Sequence, residues 1–206
     1  MGTTADKLQA ILDSKAAIKT AISNKGGTIL DSTPLDDYAT AISNLQTADD
    51  IVNKTISGTY RNETVTNINQ YLFNGCSNLT NVELPALTLI APYLFAYCTS
   101  LTNLSFNELT LIGSNAFYGC SNLTSLSVKS LFGLQIQASA FASCTSLSSI
   151  TIDYNGVATL SNTNAFQSAN APITIYVPAS QISSYQTATN WVTLYGANRV
   201  TFAAIS

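Results

Sequence analysis

The chain has 206 residues, 46% of them apolar, no histidine and a formal net charge of −3. Charged residues make up only 9%, far below the quarter or so usual in soluble domains, so Ser, Thr and Asn carry the solubility. There is no basic cluster and no run of about 18 apolar residues, which argues against a nucleic-acid groove and against insertion into a membrane.

Residues 1–50 read as a small helical module. Seven of the eleven acidic residues fall here: Asp6, Asp13, Asp31, Asp36, Asp37, Asp49 and Asp50. Met1 to Asp6 show neither a charged n-region nor an apolar h-region, so no signal peptide is expected. Leu8, Ile11, Leu12, Ile18 and Ile22 form one apolar stripe, which predicts a helix over residues 4–23 with Thr3 and Asp6 as its capping box. Gly26-Gly27 ends it. Thr33-Pro34-Leu35-Asp36 opens a second helix, with Thr33 as N-cap and Pro34 in the first turn. Leu35, Tyr38, Ile42 and Leu45 are its apolar face, and a polar stretch from Gln46 to Asp50 follows. This hairpin either docks on the end of the domain after it or joins copies of the chain into a homo-oligomer; both readings remain open.

From residue 51 one pattern governs the chain. Phe73, Phe95, Phe117, Phe141 and Phe166 stand 22, 22, 24 and 25 residues apart. Cysteine follows the first four by three residues, at Cys76, Cys98, Cys120 and Cys144. Leucine comes three further on, at Leu79, Leu101, Leu123 and Leu147. A period of 20–29 residues is the signature of a solenoid whose coils bury their apolar faces only against their neighbours. Each leucine opens L-x-x-L-x-L, as in Leu101-Leu104-Phe106, whose final alternation predicts a short strand. A second apolar pair precedes the phenylalanine (Val65/Ile68, Leu87/Ile90, Leu109/Ile112), and the fourth repeat keeps only Ile136 of it, with two extra residues around Leu131-Phe132-Gly133. Residues 51–68 are expected to cap the N-terminal end. In the fifth repeat Ala169 replaces cysteine and Pro172 replaces leucine, so residues 169–206 are expected to cap the other end, with a helix from Pro178 bearing Ile182 and Tyr185, and Trp191 and Leu194 as a lid. The fold class expected is α+β: a leucine-rich repeat solenoid over residues 51–206, with a parallel sheet on one face, preceded by the helical hairpin.

The string Ile112-Gly113-Ser114-Asn115-Ala116-Phe117-Tyr118-Gly119-Cys120-Ser121-Asn122-Leu123-Thr124-Ser125-Leu126-Ser127-Val128 resembles the BspA-type bacterial leucine-rich repeat. The resemblance covers about residues 51–200. Ile173-Thr174-Ile175-Tyr176-Val177-Pro178-Ala179, followed by Trp191, is similar to the usual end of such arrays. It implies a surface adhesin or binding protein, or a bacteriophage structural protein, where similar arrays occur. The acidic stub of residues 1–50 resembles leaders of tail-associated proteins in phages of Gram-positive hosts.

Metal or disulfide chemistry at the cysteines has little to recommend it. Zinc sites need close pairs, usually with histidine. Neighbouring coils bring in-register Cβ atoms to about 4.8 Å, beyond the range a disulfide prefers. Cys76, Cys98, Cys120 and Cys144 are therefore expected to form a buried structural thiol column. Catalysis lacks a base, because no Ser-His or Cys-His arrangement can exist. Glu83 and Glu108 lie in different columns of adjacent repeats, there is no glycine-rich phosphate loop, and no cofactor is implied.

Two surfaces remain for function. On the strand face, Asn81, Asn103, Ser125 and Ser149 form one outward column, and Glu83, Ser105, Ser127, Thr151 and Tyr176 form the next. Beside the phenylalanine turns, Tyr71, Tyr93, Tyr97 and Tyr118 form a candidate aromatic edge, facing a partner or packing over the turns. The expectation is a non-enzymatic binding protein, extracellular on a phage tail or a bacterial cell surface. It would recognise a protein or glycan on a cell, or sibling virion proteins. The alternative is a scaffold or spacer with no external ligand.

Overall fold

A computed structural model describes residues 53–206. The expected helices of residues 1–50, and the docking or oligomerisation assigned to them, lie outside the described residues. In chain order the strands are β1 (Gly58–Arg61), β2 (Leu79–Glu83), β3 (Leu89–Ile90), β4 (Asn103–Phe106), β5 (Leu111–Ile112), β6 (Ser125–Lys129), β7 (Gln135–Ile136), β8 (Ser149–Asp153), β9 (Thr159–Leu160), β10 (Ile173–Val177) and β11 (Val200–Ala204). Two helices, α1 (Ile182–Thr187) and α2 (Trp191–Gly196), separate β10 from β11.

Every described strand pairing is parallel, as coils stacked in one sense require. The five-stranded sheet runs β11-β10-β8-β6-β4, and its register puts Leu104, Leu126, Ile150 and Ile175 in one line. Burial alternates along these strands, with Leu104 and Phe106 inward and Asn103 and Ser105 outward in β4. The apolar pairs before each phenylalanine form a second sheet, ordered β3-β5-β7-β9. Its strands are two residues long, with Ile90, Ile112, Ile136 and Leu160 on the buried side. Correcting the sequence reading, the fourth coil does not lose its second apolar residue. The insertion delivers Leu134 instead, buried to 3% exposure. Ser130, also buried, donates to the Gly133 carbonyl and closes the inserted loop.

Between the sheets the phenylalanines stack. Neighbouring ring centroids lie 5.4, 5.5, 5.4 and 5.5 Å apart from Phe73 to Phe166, with planes within 13° of parallel. That distance is the interstrand spacing of about 4.8 Å plus the offset that stacked rings prefer. The column is closed at both ends by other aromatics, Tyr60 against Phe73 at 4.9 Å and Trp191 against Phe166 at 6.1 Å. The segment carrying each ring is too short for an α-helix. It is a turn, tightened to a 3-10 helix at Thr163–Phe166 in the last coil. Among the described residues α-helix is therefore confined to α1 and α2, with a further 3-10 turn at Ala179–Gln181 leading into α1.

The C-terminal cap satisfies the polar groups that a further coil would have bonded. The Tyr185 hydroxyl accepts from the Ala158 N–H, and the Trp191 indole donates to the Ala158 carbonyl. Asn190 donates to the Leu160 carbonyl, and Arg199 Nη2 donates to the carbonyls of Phe166 and Ala169. Tyr185 and Trp191 are wholly buried and Leu194 nearly so. Strand β11, which the sequence reading did not foresee, extends the sheet over β10.

Candidate functional site

The cysteine column is wholly buried and all four thiols are free. Each of the last three has a partner one coil back. The thiols of Cys98, Cys120 and Cys144 donate to the carbonyls of Phe73, Phe95 and Phe117, at 3.0, 3.0 and 3.1 Å. A thiol suits this position because it is small and apolar yet donates weakly. At the C-terminal end Arg199 takes over the role, reaching the Phe166 carbonyl from beyond the last coil. Burial pushes the Cys98 and Cys144 thiols up to about 12 and Cys120 well above the usual thiol value. Thiolate, the reactive and metal-binding form, is thus suppressed at neutral pH. Among the described residues no three His, Cys, Asp or Glu side chains are placed to share a metal ion.

The strand face carries its candidates on two separate sheets. Asn103, Ser125 and Ser149 are laterally adjacent, as are Ser105, Ser127, Thr151 and Tyr176. Asn81 and Glu83 sit on β2, which pairs with β1. Glu83 is held by Arg61 at 3.0 Å, and Arg61 also pairs with Glu63. Part of the hydroxyl and amide content serves the fold. Asn103 Oδ1 accepts from Thr124 and Ser125, both at 2.7 Å. Thr110, Thr124 and Ser148 donate to backbone carbonyls of the preceding coil. Ser105 and Ser127 are exposed, and Tyr176 ends its column at 37% exposure.

The aromatic edge has a more unusual geometry. A third ladder of backbone hydrogen bonds runs through the phenylalanine turns, including Gly75 N–H to the Ala96 carbonyl and Tyr97 N–H to the Tyr118 carbonyl. To swing the ring inward, the chain enters left-handed backbone two residues before and two after the phenylalanine. The earlier position holds Tyr71, Tyr93, Asn115 and Ser139, with φ of 65°, 57°, 56° and 56°. The later one holds Gly75, Tyr97, Gly119, Ser143 and Ser168, with φ of 76°, 59°, 70°, 61° and 56°. Glycine has no penalty there and asparagine a small one; a bulky L-residue is disfavoured by on the order of 1–2 kcal/mol. Three tyrosines nevertheless occupy these sites in the first two coils.

Packing offsets part of that cost. Tyr71 and Tyr93 stack at 4.9 Å with an 18° interplanar angle. Tyr97 meets Tyr118 edge-on at 5.3 Å. The Tyr97 ring also lies against Gly119, where an added Cβ would come within 3.0 Å of it. Tyr71 is still 48% exposed and Tyr97 52%. Sequence reasoning picked out these tyrosines but not their backbone. The readable signal was the company they keep, since Gly75, Gly119 and Ser143 share a column with Tyr97.

Two further surface features are present. The inserted loop of the fourth coil exposes Leu131 and Phe132, the latter to 84%. A shallow cleft of about 540 Å3 lies between the last phenylalanine turn and α2, with Arg199 in its wall.

A family model described as the BspA type leucine rich repeat region matches residues 53–171 in 6 copies, more than half of the chain. A search of curated proteins finds no match to it. The phenylalanine stack, the cysteine column and strands β1 to β9 fall within the matched repeats, and the chain belongs to the BspA-type leucine-rich repeat family.

Proposed function

We propose that this protein is a non-enzymatic binding or adhesion protein, displayed on a phage tail or a bacterial cell surface, that engages a protein or glycan through the solenoid surface. Membership in this repeat family supports an interaction role, since such arrays are generally non-enzymatic and typically surface-associated. Among the described residues no helix is long and apolar enough to cross a membrane. The observation that carries the reading is the aromatic edge. Exposed tyrosines are kept where the backbone favours glycine or asparagine, and exposed aromatics are favoured at interfaces.

A scaffold or spacer without external ligand is the second reading. It is favoured by the hydroxyls that bond to the preceding coil, because these account for some of the polar composition without any partner. Residues 1–50 belong to both readings as the attachment or oligomerisation module.

The test is retention of the fluorescently labelled full chain on a panel of intact Gram-positive bacteria, untreated or pretreated with protease or periodate. Retention on cells supports adhesion, and the pretreatment that abolishes it tells a protein receptor from a glycan. Binding to no cell, together with binding to sibling virion proteins, would leave the scaffold reading in its place.

A further inference from the structure

The edge tyrosines Tyr71, Tyr93, Tyr97 and Tyr118 belong to the turns of three successive coils, residues 69–78, 91–100 and 113–122, and these segments contain no charged residue. Among the described residues one cation reaches them: the Lys54 ammonium, bonded to the Leu72 carbonyl at 2.9 Å. Amides and hydroxyls, such as Asn69, Asn74 and Ser114, make up the rest of the polar surface. Rings flanked by neutral donors and acceptors match a ligand with apolar C–H faces and many hydroxyls. A charged peptide or an anionic polymer would find, among the described residues, no counter-charge here but the single Lys54 ammonium.

Among the described residues the edge also leaves a ring surface uncovered. Tyr97 rests on Gly119 in the next coil. One coil earlier the equivalent position is Gly75, whose place for a Cβ meets nothing within 4 Å. The coil before Tyr97 thus contributes no side chain at that position to cover the ring. Tyr71, at the N-terminal end of its stack, has Tyr93 on one side only among the ring contacts. A side chain kept for stability would be expected to be well covered and in a favoured backbone region. These are half-exposed and in a disfavoured one, which is where strain marks function.

We propose that the turns of the first three coils form a stacking platform for neutral pyranose rings, with Tyr97 and Tyr71 as its two exposed ring surfaces and Tyr93 and Tyr118 as their supports. This deepens the adhesion reading and rests on it. The platform has a signature that a structural role lacks. Replacing Tyr97 or Tyr71 by asparagine relieves left-handed backbone while removing the ring, so stability and binding part company.

The experiment uses the full chain. Cellohexaose, maltohexaose, mannohexaose and chitohexaose are titrated by calorimetry, with a heparin hexasaccharide as the anionic comparison. Thermal unfolding is measured on wild type, Tyr97→Asn, Tyr71→Asn and the double variant. At least one neutral hexasaccharide should bind and heparin should not. Each single substitution should weaken binding by on the order of tenfold, the loss of a stacking contact at the centre of a site. The midpoint temperature should stay level or rise by up to about 3 °C.

The platform is overturned if no neutral hexasaccharide binds, if the double variant binds as wild type does, or if the midpoint falls along with affinity. If intact cells retain the wild-type chain while no neutral hexasaccharide binds it, the platform falls and adhesion stands. If neither cells nor saccharides bind, both fall.

Discussion

Gly113→Ala places one methyl group where two coils touch. A Cβ there would lie 2.7 Å from the Pro92 nitrogen, 2.8 Å from the Ile90 oxygen and 2.9 Å from the Ala91 carbonyl carbon. All three are backbone atoms of the preceding coil, so no side chain can swing aside. Ordinary contact begins near 3.4 Å, and the coils must part by about 0.7 Å to admit the group. The hydrogen bond from Gly113 N–H to the Ile90 carbonyl, now 2.8 Å, would stretch beyond useful geometry. Overpacking costs about 1–3 kcal/mol and a weakened buried hydrogen bond about 1 kcal/mol more. At about 2–4 °C per kcal/mol for a chain of this size, the midpoint should fall by roughly 10 °C. Circular dichroism melting reads this directly. Gly196→Ala is the control: it lies in α2, its Cβ meets nothing within 4 Å, and it should leave the midpoint level or slightly higher. A Gly113→Ala midpoint within about 2 °C of wild type would refute the close coil contact.

Other consequences can be checked with simple measurements. The thiols of Cys98, Cys120 and Cys144 titrate higher in the folded chain than when exposed, so the folded state holds more protons above pH 9. Their contribution is complete below the exposed-thiol value near 9 and is lost as pH climbs towards 12. Each thiol should cost about 1 kcal/mol by pH 10, and denaturant titrations should show stability falling from pH 8 to pH 10; a flat profile would contradict burial as the cause. Ellman's reagent without reductant should find four thiols in denaturant and almost none in the native chain, and two or none in denaturant would mean disulfides. Trp191→Phe keeps most of the ring but removes the donor to the Ala158 carbonyl, so it should destabilise by about 1–3 kcal/mol in urea unfolding. No change would mean that water serves that carbonyl equally well.

Much of the repeat architecture was legible because one column of large side chains sets everything else. Phe73 to Phe166 give the period, and the period fixes which leucines face inward. The cysteines were legible as packing, but not as donors to the carbonyls behind them, because that bond depends on a coil 22 or more residues away. Leu134 was missed because an insertion shifts its column by one, and only burial distinguishes it from the loop beside it. Strand β11 was missed because Val200 to Ala204 alternates weakly and takes its conformation from pairing with β10. At the candidate edge the residue types were readable and the backbone was not. Left-handed φ at a tyrosine contradicts its own preference, and the turn around the buried phenylalanine imposes it.

The most direct measurement compares retention of three labelled full-length chains on the same intact Gram-positive cells: wild type, Tyr71→Asn with Tyr97→Asn, and Ser127→Arg with Thr151→Arg. The arginine pair alters the strand face, where both positions point outward from adjacent strands. Binding through the tyrosine edge predicts that the wild-type and arginine chains are retained alike, while the asparagine chain is retained on the order of a hundredfold less. Equal retention of the asparagine chain, or loss confined to the arginine chain, would contradict it.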